Sequence, residues 1–411
     1  MTEARQTAFD TLYKVFYGGA YSNIALDDAL GNLSAGRAFA SRLIYGVVER
    51  RLTLDYILSL YCKKPKPKLL VILRMGVYQL YFMDKVTSAA AVDESVKLAK
   101  ANGMGYYASF VNAVLHKIND NRIDIDGIED LSVRFSVPQN LINMWIKAYG
   151  REKVLSFLPS LNENPPVFAV ANLYKTSAAE LAKTLRSCGL SCEVHGGLVR
   201  MDSAPDLTSL EAFKKGLFHI QDISAYKAVS ALKIKDGDTV VDFCAAPGGK
   251  SFTASYFAGS RGNVYSYDIY SQRVSLIEKG CERLGISNVS AFVNDASVSI
   301  EGVPRADKII CDVPCSGFGT VRRKPEIRYK ELDSIKALPE LQLKILNNAS
   351  GCLKSGGRLL YSTCTLNKRE NEKVADAFLE KHPDFEMMDR KTIFPGDDGG
   401  DGFFYCIFER N

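Results

Sequence analysis

Cys315 closes the run Asp312-Val313-Pro314-Cys315, and Cys364 lies in Ser362-Thr363-Cys364-Thr365. Each comes after a short apolar stretch that reads as a strand, Lys308–Cys311 and Arg358–Tyr361. A third such stretch, Thr239–Phe243, runs into Cys244-Ala245-Ala246-Pro247-Gly248-Gly249-Lys250. Side chains just past the strand ends of a parallel sheet line its ligand crevice. A thiol placed there is a candidate nucleophile, provided that a cation or a hydrogen bond offsets its resting pKa of about 8.5. On spacing alone, the pair is as open to packing as to chemistry. Cys62, Cys188, Cys281, Cys311, Cys352 and Cys406 read as small buried hydrophobes.

Gly248-Gly249, between a strand and a helix, lets a ligand approach the backbone and the helix N-terminus. The loop has no Gly-x-Gly-x-x-Gly. It is also not a triphosphate loop, since Cys244 and Ala245 stand where the first glycine is needed. Three carboxylates then fall at successive strand ends: Asp268, Asp295 and Asp312. Asp268 suits two ribose hydroxyls, since one carboxylate accepts both hydrogen bonds. Asp295 can accept from an adenine amino group. A single strand-end Asp is commonly a cap or turn residue; three beside a Gly-Gly loop favour a nucleoside. Ribose and adenine with no phosphate subsite fit S-adenosylmethionine. A methyltransferase needs a thiol when its target is carbon 5 of a pyrimidine, a poor nucleophile until sulfur adds at carbon 6. A second group near carbon 5 then assists release, and an acid such as Asp312 can assist at N3.

These residues need a sheet to hold them. From about Gly237 strands and helices alternate: Thr239–Phe243, Asn263–Asp268, Val289–Val293, Lys308–Cys311, Arg358–Tyr361 and Phe404–Phe408 are strands. Ser251–Phe257, Ser271–Leu284, Ile335–Leu353 and Asn371–Lys381 are the helices. This predicts an α/β Rossmann-like, doubly wound and mostly parallel sheet with a last antiparallel strand. Residues 1–125 read as all-α, with apolar residues such as Leu43, Val47 and Leu54 at helical spacing. Residues 126–235 read as a linker and a small α+β module, with strands Val167–Asn172 and Leu198–Met201. The chain is thus expected to be multidomain, divided as 1–125, 126–235 and 236–411.

At 411 residues and 46% hydrophobic, the composition is that of a soluble protein of two or three domains. It has no apolar run near the ~18 residues of a membrane span and no signal-peptide core. Ten cysteines without a secretion signal predict a reducing, cytoplasmic location. The absence of Cys-x-x-Cys and the scarcity of histidine predict no metal. The net charge of +5 falls in residues 1–125, where 16 Lys and Arg face 11 Asp and Glu. That is a weak pointer to a polyanion. Two clusters stand out. Lys63, Lys64, Lys66 and Lys68 share a proline-broken loop, read either as phosphate contacts or as a solubilising turn. Arg322, Arg323, Lys324, Arg328 and Lys330 lie beyond the first cysteine motif and suit phosphate contacts on RNA.

Asp242-Phe-Cys-Ala-Ala-Pro-Gly-Gly-Lys250, Asp312-Val-Pro-Cys-Ser-Gly317 and Tyr361-Ser-Thr-Cys-Thr365 together resemble the Nop/Sun family of RNA cytosine-5 methyltransferases. The resemblance extends to Gln221-Asp222, Arg322–Pro325, Asn371-Glu372 and Asp401–Phe404, and residues 1–125 resemble a NusB-like RNA-binding domain. The combination resembles the bacterial Sun/RsmB-type 16S ribosomal RNA enzymes of that family. It implies Cys364 as the sulfur that adds to carbon 6 and Cys315 as the cysteine that assists release. It also implies Cys244–Lys250, Asp268, Asp295 and Asp312 as S-adenosylmethionine contacts. Lys250 is read either as orienting the base or as a salt bridge at the helix terminus. The implied partner is 16S ribosomal RNA or an assembling small ribosomal subunit. The chain departs from the family pattern at Val170-Ala171-Asn172, where an Arg-Val-Asn is usual, and at Ser136-Val137-Pro138. Transfer RNA as the target, or a non-catalytic role in ribosome assembly, are the alternatives.

Overall fold

The computed structural model describes residues 2–18, 33, 35–202, 206–298 and 301–411. It divides into two compact units: Met1–Asn162 with Arg323–Lys330, and Glu163–Arg322 with Glu331–Asn411.

The first unit is helical among its described residues. Glu3–Tyr17, Arg37–Glu49, Arg51–Ser59, Ser88–Ala101 and Ala108–Asp120 surround Pro67–Phe82, whose apolar residues point to every side. A helix of that kind has to be central. Pro67 stands at its first position, where a missing N–H costs nothing, so the lysine-proline loop ends where this helix starts. Gly46 permits the closest approach here, since a Cβ on it would meet the Tyr78 ring at 1.9 Å. Arg74, almost fully buried, pairs with Asp55 through two bonds of 2.7 Å. Leu131–Phe135, Gln139–Tyr149 and Arg151–Phe157 follow, with buried Trp145 edge-on to Phe157 at 5.4 Å.

Arg323–Lys330 is folded into this unit, which corrects one expectation. Arg328 does not reach for phosphate: it is 1% exposed. Its guanidinium donates to the carbonyls of Glu49 (3.2 Å), Phe135 (3.4 Å), Ser136 (3.1 Å) and Leu161 (3.2 Å), and to Asn162 Oδ1 (3.2 Å). Tyr329 donates to Val48 O at 3.0 Å. Burial pushes the Arg328 pKa down, while the surrounding oxygens take its terminal N–H groups. Arg328→Met keeps the volume and strands the carbonyls. It should cost about 2–4 kcal/mol and lower the unfolding midpoint by roughly 5–10 °C in a thermal melt. A phosphate-binding Arg328 would instead leave the melt unmoved and weaken RNA binding.

The second unit holds two sheets. β1 (Val167–Ala171), β2 (Glu193–His195), β3 (Leu198–Met201) and β4 (Phe218–Ile220) form a four-stranded antiparallel sheet, ordered β2-β3-β1-β4. β5 (Thr239–Phe243), β6 (Asn263–Asp268), β7 (Val289–Val293), β8 (Ala306–Asp312), β9 (Leu353–Thr363), β10 (Phe385–Ile393) and β11 (Phe403–Arg410) form the second, ordered β10-β11-β9-β8-β5-β6-β7. β7, β6, β5, β8 and β9 are parallel, and β11 and β10 are antiparallel additions. This is the Rossmann-like α/β fold expected. β5, β8 and β9 are buried on both faces by Val241, Ile309, Ile310, Leu359 and Leu360, as central parallel strands must be. The chain switches sides between β5 and β8, so their carboxyl ends open the ligand crevice. Asn172 ties the smaller sheet down by donating to Gly216 O (2.8 Å) and to Leu284 O (2.7 Å), at the end of helix Ser271–Leu284. Arg283 in that helix lies 3.8 Å over the Phe213 ring.

Candidate active site

The loop after β5 begins with Cys244 in a left-handed conformation (φ 59°) and is closed by Ala245 N–H to Tyr267 O at 2.8 Å. Gly248 at φ 106° packs on the Phe252 ring, which a Cβ would strike at 2.4 Å. Helix Gly249–Ala258 then starts with its N–H groups at the crevice. Beneath it, Asp242 accepts from Ser251 Oγ at 2.5 Å; burial, opposed by that bond, pushes its pKa up to about 7. Burial, and the acids Asp242, Asp312 and Asp268 after it, push the Cys244 thiol up to about 12. Cys244 therefore stays a thiol and belongs to the loop, not to the chemistry.

Asp268 at the end of β6 is 2% exposed. It accepts from Ala246 N–H at 3.2 Å and lies 3.4 Å from Arg273. Among the described residues its Oδ1 holds long bonds of 3.4 Å, to Tyr270 N–H and Arg273. Asp295 comes after β7 and accepts from Ser297 N–H (2.9 Å) and Ser297 Oγ (2.7 Å), the turn-capping pattern that is the ordinary use of such a residue. Asp312 ends β8, takes Lys250 Nζ at 2.5 Å on one oxygen and Ser362 Oγ at 2.8 Å on the other. Burial works to lower the Lys250 pKa. Asp312, then Asp242 and Cys364, overcome it and hold the ammonium above its ordinary value. A strand-end carboxylate, a loop of small residues and a helix start at the crevice fit the ribose and methionine ends of S-adenosylmethionine.

The two thiols meet beside this loop. Cys315 Sγ and Cys364 Sγ are 3.2 Å apart, both thiols rather than a disulfide and both half-buried. The hydrogen bond that it shares with Cys364 is the largest cause that raises the Cys315 pKa, ahead of burial and the charges of Cys364, Glu370 and Asp312. Two further segments, neither assigned a role from the sequence, fasten the loops together. Glu370, fully buried, accepts from Ser316 N–H (2.8 Å) and Ser316 Oγ (2.6 Å), from Gln342 Nε2 (3.0 Å) and from Asn367 Nδ2 (2.8 Å). Gly319 N–H donates to Cys364 O at 3.0 Å, and a Cβ on Gly319 would meet Gly402 O at 1.8 Å. Among the remaining cysteines, Cys311, Cys352 and Cys406 are buried as expected. Cys62 and Cys281 are half-buried, and Cys188 is exposed at the end of its surface helix, against expectation.

Arg322 is also not a phosphate contact. It is buried and donates to Gly399 O (2.8 Å) and Gly400 O, and pairs with Asp401 at 3.3 Å. Asp222, which caps helix Ile223–Ala231, accepts from Asp401 N–H at 3.2 Å. The dispersed stretches around Asp222, Arg322 and Asp401 are thus one structural knot. Lys324 is the exposed member of the basic run.

A doubly wound sheet of seven strands, with these groups at its switch point, defines an S-adenosylmethionine-dependent methyltransferase of the Rossmann-like class. Residues 229–409 match the family described as 16S rRNA methyltransferase RsmB/F, and residues 2–120 match the NusB family. The chain is 35% identical to the probable ribosomal RNA small subunit methyltransferase B of Bacillus subtilis (strain 168), over 100% of this chain and 99% of the relative. It is 32% identical to the protein of the same description from Synechocystis sp. (strain ATCC 27184 / PCC 6803 / Kazusa), over 100% of both. The crystal structure of PH0851 superposes with a TM-score of 0.82 at 23% identity, covering 100% of this chain and 99% of that one. The chain belongs to the ribosomal RNA small subunit methyltransferase B family. No described helix is long and apolar enough to cross a membrane.

Proposed function

We propose that this protein methylates carbon 5 of a cytosine in 16S ribosomal RNA, through a covalent adduct between Cys364 and carbon 6. The observation that carries the reading is the pair of thiols 3.2 Å apart, next to the Lys250–Asp312 pair at the carboxyl ends of β8 and β9. S-adenosylmethionine, when bound, supplies a methyl sulfonium electrophile. Cys244–Lys250, Asp268, Asp295 and Asp312 hold it. Cys364 Sγ adds to carbon 6, its negative charge favoured by the Lys250 ammonium, and carbon 5 gains nucleophilic character. After transfer, carbon 5 loses its proton to a base, the ring regains its double bond and Cys364 leaves. The Cys315 thiol, raised in pKa and 3.2 Å away, assists by donating a hydrogen bond to the departing sulfur.

The target cytosine has to leave its stack to reach a half-buried thiol, so an unpaired or flipped base is the substrate. Residues 1–125 supply RNA binding, residues 236–411 the transfer, and residues 126–235 the segment between them. In the helical unit Lys63, Lys64, Lys66 and Lys68 are all exposed, and Lys66 lies 5.7 Å over Tyr107, next to the 94% exposed Tyr106. Lysines for phosphate and an exposed ring for a base are the parts of an RNA surface. An assembling small subunit in the cytoplasm is the setting. The test is methylation of unmodified small-subunit rRNA by the purified protein, with mass mapping of the product. One new 5-methylcytosine in 16S rRNA is expected; transfer to tRNA alone would overturn the reading.

A further inference from the structure

We propose that Glu370 is a positioning residue that fixes the spacing of the two cysteine loops and keeps Cys315 in its protonated form. The inference rests on the division of labour proposed above.

The Pro-Cys and Thr-Cys motifs sit on separate loops, and their sulfurs are useful only if the loops keep a fixed separation. Glu370 lies six residues beyond Cys364 yet spends both oxygens on other segments. Ser316, next to Cys315, gives it a backbone and a hydroxyl bond of 2.8 and 2.6 Å. Gln342 reaches it at 3.0 Å and also donates to Pro314 O at 2.9 Å, so it holds the residue on the other side of Cys315. Thr365, next to Cys364, closes the ring through Ser316 Oγ at 2.7 Å. The carboxylate therefore brackets Cys315 from both sides.

Ser316, Gln342 and Asn367 are neutral donors. None of these donors brings a counter-charge to the carboxylate. The carboxylate's charge opposes a second negative charge on Cys315, and it is one of the causes that raise the Cys315 pKa. The Lys250 ammonium, whose pKa is raised in part by Cys364, biases the site the other way. Within a pair 3.2 Å apart, Cys315 thus feels the Glu370 charge and Cys364 the Lys250 charge. Opposed environments of this kind assign two like groups to different roles.

The test reads Cys315 directly. In a Cys364→Ala background, the rate of alkylation of Cys315 by iodoacetamide is measured against pH by peptide mass spectrometry, with and without Glu370→Gln. Removing a charge at this range should move the profile to lower pH by about one unit, an approximately tenfold faster reaction at neutral pH. With both cysteines present, Glu370→Gln should lower kcat by about 100-fold and leave KM for RNA unchanged. Ser316→Ala keeps the charge, so it should slow turnover and leave the alkylation profile in place. Superimposable profiles for Glu370 and Glu370→Gln, in protein that still binds S-adenosylmethionine, would overturn the proposal. Should Glu370→Gln not fold, Gln342→Ala takes its place, since like Ser316→Ala it removes a neutral donor and leaves the charge; slower turnover with an unmoved alkylation profile supports the proposal, and unchanged turnover overturns it. Alkylation needs neither RNA nor methyl transfer. A wild-type protein inactive on RNA would therefore refute the function and leave this test standing.

Discussion

Cys364→Ala is expected to abolish methyl transfer, with a loss of at least about 10⁴-fold in kcat, while S-adenosylmethionine affinity stays at the wild-type level. The size of the effect comes from the chemistry. Carbon 5 of cytosine cannot attack a methyl sulfonium at a useful rate until a nucleophile occupies carbon 6, so removing the sulfur removes the route. The cofactor should be unaffected because Cys364 belongs to the turn after β9, while Asp268 and the loop after β5 are held by their own bonds. Cys364→Ser is an informative companion. It is nearly isosteric, yet a hydroxyl is far too basic for Lys250 to ionise, so it should be as inactive as alanine. The measurement is transfer of labelled methyl to unmodified 16S rRNA, with calorimetry for the cofactor. Full turnover by Cys364→Ala would remove the covalent mechanism.

Much of this site was legible in the residues because its chemistry sits at strand ends. β5, β8 and β9 announce themselves as apolar runs, and the residues just past each run face the crevice by topology alone. Asp268, Asp312, Cys315 and Cys364 could be placed that way. The misses have physical causes. β10, Phe385–Ile393, is an edge strand carrying Glu386, Asp389, Arg390 and Lys391, a composition that protects an edge and hides the strand. Leu353 reads as the last turn of a helix and is the first residue of β9, since a gently apolar stretch leaves that boundary open. Arg322 and Arg328 look like phosphate ligands because a linear sequence shows their charge but not the carbonyls that enclose them. Glu370 was invisible for a related reason: its partners Ser316 and Gln342 come from segments 54 and 28 residues away.

Cys315→Ala should give the second large effect, and a different one. The first half of the reaction needs Cys364, the methyl donor and a bound cytosine, all present in this variant, so the adduct should form and methyl transfer should proceed. Release should then stall, because the departing sulfur loses the thiol 3.2 Å from it. A single round of methylation is therefore expected, and then a fall in turnover of about 10²-fold or more. On a denaturing gel the protein should carry RNA that resists heating in detergent, and digestion should leave a methylated cytosine on the Cys364 peptide. Cys315→Ala combined with Cys364→Ala should show no adduct at all, which separates a covalent species from tight binding. Absence of the adduct in Cys315→Ala, with turnover preserved, would reassign Cys315 to the walls of the crevice. Turnover lost with no adduct would place Cys315 earlier, as the group whose hydrogen bond makes Cys364 nucleophilic. The order of events between two sulfurs is thus read from which variant accumulates RNA, and that ordering is what the charges of Lys250 on Cys364 and of Glu370 on Cys315 predict.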